Sequence, residues 1–117
     1  MLNITEKTAA IVDALEDIKA LDIEVIDTSK LSPLFERMVI ASAQSTRQTK
    51  ALADHVEEKL KALGETILSV EGGDSGEWVL VDMGDVIVHI MQPAVRAYYN
   101  LEELWGVLPK ARAKTAK

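Results

Sequence analysis

The segment WVLVDMGDVIVHIM, residues Trp78 to Met91, constrains this chain more than any other. Two apolar runs rich in β-branched residues flank a glycine. That is the pattern of a β-hairpin, with Gly84 at a turn position needing positive φ. With Met83 and Gly84 as the two loop residues, Asp82 faces Asp85, Leu80 faces Ile87 and Trp78 faces His89. Side chains alternate along a strand, so the hairpin has two unlike faces. One carries Val79, Val81, Val86, Val88 and Ile90, a dry surface suited to lie under helices. The other carries Trp78, Leu80, Asp82, Asp85, Ile87 and His89, with Met91 beyond.

The second face joins large apolar groups to charge. Two carboxylates directly across a ladder repel unless a cation lies between them. Trp and Met are frequent in interface cores. The face therefore suits a partner that offers Lys or Arg beside apolar groups. Burial of the same face under helices, with the aspartates at a solvated turn, is the competing reading.

The rest of the chain supplies elements to pack against the hairpin. A helix is expected from about Thr5 to Ala20, with Thr5 as its cap and Ile11, Leu15 and Ile18 as its stripe. DIEVIDT reads as a strand, SKLSP as a loop, and MVIA as a strand buried on both faces. Ser45 and Gln48 have capping-box spacing. The helix they open carries Leu52, Val56, Leu60 and Leu63 on one stripe, and Gly64 follows as its stop. Glu65 to Val70 is a third strand candidate, and EGGDSGE is a loop. Pro93 suits the first position of a last helix, and Asn100 with Glu103 marks a second start beyond it. The expected fold is α/β (α+β): a single domain over residues 1–108, with helices packed on a mixed sheet of about five strands.

The 117 residues carry a net charge of −6, unevenly placed. Lys110, Arg112, Lys114 and Lys117 lie in the last eight residues, which contain no acid. The body before them keeps all 19 acids and only nine of the 13 bases, leaving it near −10. Such a body gains nothing from counterion release on nucleic acid and fits a basic protein better. Residues 109–117 are expected to form a disordered basic tail. There is no cysteine, so disulfides and thiolate metal sites are excluded. The N-terminus lacks the pattern of a secretory signal, and no stretch approaches the roughly 20 apolar residues of a membrane span. A cytoplasmic protein is expected.

The hairpin and its sequel resemble the Iojap-like ribosomal silencing factors. The likeness runs from about residue 5 to residue 106. It is carried by MVIASAQSTRQ, by the helix through ADHVEEKL, by VLVDMGDVIVHIM behind Trp78, and by Arg96, Tyr99, Leu101, Glu102 and Trp105. The resemblance implies a translation repressor that binds the large ribosomal subunit through ribosomal protein L fourteen, the fourteenth protein of that subunit. Seated there, it would block joining of the small subunit when nutrients are scarce. It implies no cofactor and no catalysis. Mapped onto this chain, the contact surface is Trp78, Leu80, Asp82, Asp85, Ile87, His89, Met91, Arg96, Tyr99 and Leu101. The basic tail is a candidate for minor contact with ribosomal RNA, and the resemblance leaves monomer and homodimer open.

The family's fold is similar to that of nucleotidyltransferases, so an enzyme or nucleotide binder is the alternative. Those enzymes place a Gly-Ser pair at a helix start and paired carboxylates on magnesium. This chain has AlaSerAlaGlnSerThr there, and Asp82 and Asp85 stand three apart across a turn. His55, beside Asp54, reads as a surface histidine. His89 reads as a hydrogen-bonded structural or interface group. Arg96 reads as a packing residue reaching a carboxylate such as Asp85.

Overall fold

The structure is a computed structural model that describes residues 2–101. The expectations for Glu102, Glu103, Trp105 and the tail fall outside the described residues. Helix α1 spans Ile4–Asp17. It begins earlier than Thr5 because Asn3 is the better cap. The Asn3 carboxamide oxygen accepts the Glu6 N–H at 2.8 Å, and the Glu6 carboxylate accepts the Asn3 N–H at 3.1 Å. The helix stops short of Ala20 because Lys19 turns to φ +61. Strand β1 (Leu21–Asp27) and strand β2 (Arg37–Ser42) follow as an antiparallel pair.

Helix α2 spans Thr46–Ala62, and the Ser45 hydroxyl accepts the Gln48 N–H as the cap spacing predicts. The Gln48 side chain departs from the capping-box expectation. It donates to the Ile18 carbonyl at 3.1 Å and so ties α2 to the end of α1. Gly64, at φ +90, ends the helix. Strand β3 is only Ser69–Glu71, shorter than expected, because Glu65 is drawn away under α1. Strands β4 (Trp78–Asp82) and β5 (Val86–Met91) form the hairpin, and helix α3 is Pro93–Tyr99. Asn100 closes α3 in the left-handed region, and Leu101 is helical again, the break that its position foretold.

The five strands lie in the order β1-β2-β5-β4-β3. Among the described residues only β2 and β5 pair in parallel. The sheet is mixed, as expected, with β2 and β5 interior. Helices α1 and α2 cover one face. There Ile11, Leu15, Leu52, Val56 and Leu60 meet Val39, Val79, Val81, Val86, Val88 and Ile90, all fully buried. Leu63, expected on the same stripe, is 45 % exposed because it caps the helix instead of lying within it.

Candidate functional site

The hairpin turn lies one residue later than its sequence suggested. The Met83 N–H donates to the Val86 carbonyl at 3.0 Å, which leaves Gly84 (φ +87) and Asp85 at the tip. Glycine at the first of two loop positions fits a II′ turn better than Met-Gly fits any two-residue loop. The ladder therefore pairs Asp82 with Ile87, Leu80 with His89 and Trp78 with Met91. Both strands shift together, so the pairing moves by two positions and each side chain that stays in a strand keeps its face, while Asp85 passes into the loop. Met83 joins the helix-covered core.

Three rows cross the opposite face of the sheet. Ile26, Met38, Ile87, Asp82 and Ser69 make the first; Glu24, Ile40, His89, Leu80 and Glu71 the second; Ser42, Met91 and Trp78 the third. Met38, Ile40 and Met91 are buried by Phe35, Val95 of α3 and Leu101. Leu80, Asp82, Ile87 and Trp78 stay half-buried. The face is thus neither open nor sealed. Ile26, Met38 and Ile40 were missed as members, because pairing between separate strands leaves no local sequence signal.

Helix α3 sits over the third row. Arg96 donates to the Ser42 hydroxyl at 2.8 Å, and the Tyr99 ring lies 4.8 Å from the Trp78 ring, inclined by 49°. Gly72 helps to set the other side. At φ +85, its backbone runs so close to the Trp78 carbonyl that a Cβ would overlap it. Beneath Trp78, its indole N–H donates to Nδ1 of His89 at 2.9 Å. Burial pushes the His89 pKa down to about 4, so the ring is neutral near pH 7.

Asp85 does not face Asp82. Its carboxylate turns to Lys7 of α1 at 2.7 Å, and Lys7 also meets Glu65 at 3.1 Å. Burial pulls the Lys7 ammonium down, but the hydrogen bonds and charges of Asp85 and Glu65 outweigh it and hold its pKa above the ordinary lysine value. The Leu2 N–H, then Lys7, hold the Glu65 carboxyl below the usual range. Asp82 accepts the Gly84 N–H at 2.8 Å. The expected pair of facing carboxylates is therefore replaced by one half-buried aspartate, Asp82, on the face and one, Asp85, at the hairpin tip, its side chain 41 % exposed and paired with Lys7. Arg96 correspondingly meets Ser42, and Asp85 is taken by Lys7. His55 is partly exposed, in keeping with a surface histidine, and it and Lys59 of α2 both reach Asp17 of α1, at 3.0 and 3.1 Å. Among the described residues no three His, Asp or Glu side chains cluster as a metal site would require.

The family model described as "Ribosomal silencing factor during starvation" matches residues 2–117. A protein named ribosomal silencing factor RsfS from Chromobacterium violaceum is 56 % identical over 105 residues, covering 90 % of this chain and 86 % of its own length. A mouse protein named "Mitochondrial assembly of ribosomal large subunit protein 1" is 33 % identical, over 81 % of this chain and 43 % of its own. A crystal structure of a Chromobacterium violaceum protein superposes with a TM-score of 0.90 at 55 % identity, covering 92 % of this chain and 89 % of that one.

Proposed function

Because this chain belongs to the ribosomal silencing factor family, we propose that it represses translation by docking, through the half-covered face of its sheet, on a basic protein of the large ribosomal subunit. The family likeness noted above names that protein as the fourteenth of the subunit. The bound chain stands where the small subunit must approach, and no bond is made or broken. It acts in the cytoplasm, where the subunits meet.

One observation carries the reading: Trp78, Leu80 and Ile87 are partly open beside Asp82 on a face that the described helices leave half covered. The apolar groups supply affinity at the centre. Asp82 sets register by pairing with a lysine or arginine of the partner, and the surrounding acidity speeds encounter. His89 and Met91 lie beneath, while Arg96, Tyr99 and Leu101 belong to the rim that closes one end. Asp85 contributes indirectly, by pinning the hairpin tip to α1. The basic run from Lys110 adds minor phosphate contacts on ribosomal RNA.

The test is co-sedimentation of the full chain with isolated large subunits, with Asp82→Lys beside the natural chain. The natural chain should travel with large subunits and reduce their pairing with small ones. Asp82→Lys should lose at least tenfold in affinity with its fold kept. Wild-type binding by that variant would overturn the face assignment. Failure of the natural chain to bind large subunits would overturn the function.

A further inference from the structure

We infer that His89 is a positioning residue, which fixes the attitude of the Trp78 ring on the docking face and does not itself touch the partner. The inference rests on the docking reading above and assigns His89 a different part in it.

The geometry begins with register. His89 lies on the central strand between Ile40 and Leu80, and only 7 % of it is exposed. It has almost no surface to offer a partner. Trp78 pairs across the ladder with Met91, not with His89. Its indole nevertheless leans back along β5, so that Nε1 reaches Nδ1 of His89 at 2.9 Å with the rings 5.7 Å apart. Tyr99 flanks the same indole. One edge of the ring is thus held by a hydrogen bond and one side by an aromatic neighbour; the ring also packs on the cluster around Met91, and part of it stays open.

An indole N–H that lies partly out of water needs an acceptor. The acceptor here must be uncharged, short enough to sit on the central strand, and free of a proton at the atom next to Cγ. Neutral histidine with its proton on Nε2 meets all three conditions. Burial keeps it neutral, so the acceptor is present throughout the neutral range. A large aromatic ring fixed before contact loses less freedom on binding, and such a ring is the usual anchor of an interface.

Two substitutions separate positioning from packing. His89→Asn keeps an acceptor next to Cγ, whereas His89→Leu puts a methyl group there. In the full chain, Trp78→Phe identifies the Trp78 indole N–H signal by proton NMR, since Trp105 supplies the other. His89→Leu should move that signal upfield, quicken its exchange, and weaken large-subunit binding about tenfold. His89→Asn should retain the signal's position and stay within about threefold of natural affinity. Natural affinity in His89→Leu, with Trp78→Ala weak, would overturn the positioning role alone. So would His89→Asn binding as poorly as His89→Leu. Natural affinity in Trp78→Ala would overturn the positioning role together with the part of the docking reading that uses Trp78.

Discussion

Val79 and Leu80 are neighbours on one strand, as are Val86 and Ile87 on the next, yet they live in different surroundings. The valines point under α1 and α2 and have no exposed surface. Leu80 and Ile87 point the other way and stay half-buried. Within the hairpin the first face is uniformly apolar and covered by two long helices. The second is mixed, carrying His89, Asp82, Glu71 and Glu24 among its apolar groups, and among the described residues it is covered chiefly by a seven-residue helix, Phe35 and Leu101. The difference teaches a division of labour. Stability is concentrated where the sheet is dry, and recognition has room only where the cover is incomplete. Substitutions can break or sharpen that division.

The largest effect belongs to the dry face. Leu52 is fully buried against the valines. Leu52→Ala should cost about 2–5 kcal/mol, a fall in melting temperature of roughly 10–25 degrees for a domain of this size. The surviving folded fraction should bind large subunits with natural affinity. A drop in intrinsic affinity would show that the two faces are coupled.

The next effect tests the seam between the faces. Lys7 is 5 % exposed and bonds both Glu65 and Asp85. Lys7→Met leaves the Glu65 carboxylate buried without its cation and should cost about 3 kcal/mol, read by chemical denaturation. Because Asp85 sits at the hairpin tip, added Glu65→Gln should recover part of that loss. If Lys7→Met is neutral, the triad does not anchor the tip.

How far these features could be read in advance depends on their range. Ser45 as a cap, Gly64, the apolar MVIA and the break at Asn100 are local signals, and each stands where its chemistry put it. The alternation of the hairpin also identified which side chains share a face. It survived a misplaced turn because moving a two-residue loop by one position slides both strands together. What was hidden is long-range. Lys7 and Asp85 are 78 positions apart, and nothing near either announces the other. The facing aspartates were a plausible site only while Asp85 lacked that partner. Asn3 and Thr5 are both good caps by residue type, and only the reciprocal bond with Glu6 decides for Asn3.

Acid should weigh on the second face through His89. Its folded pKa is about 4 against an ordinary 6.5. Burial lowers the value, so the unfolded chain binds the proton more readily. The stability tied to the neutral ring is complete above pH 6.5, falls as the pH drops towards 4, and amounts to about 3 kcal/mol at most. Denaturant midpoints measured from pH 7 to pH 4 should fall more steeply in the natural chain than in His89→Asn. Equal slopes would mean that His89 titrates normally and is not buried beside Trp78 as described.

The smallest effect on stability should accompany a clear effect on binding, and this pairing puts the comparison at greatest risk. Leu80 sits between His89 and Glu71 on the half-covered face. Because part of its side chain already meets water, Leu80→Ser should cost only about 1 kcal/mol in unfolding free energy. If the face docks, the same change removes an apolar contact at its centre and should weaken large-subunit binding about tenfold or more. Two outcomes are informative against the proposal. A stability loss as large as that of Leu52→Ala would make the second face an ordinary core layer. A small loss with natural binding would leave Leu80 a tolerated surface leucine and move the contact elsewhere. Only the combination of near-natural stability and impaired docking assigns the two faces of one sheet to different tasks.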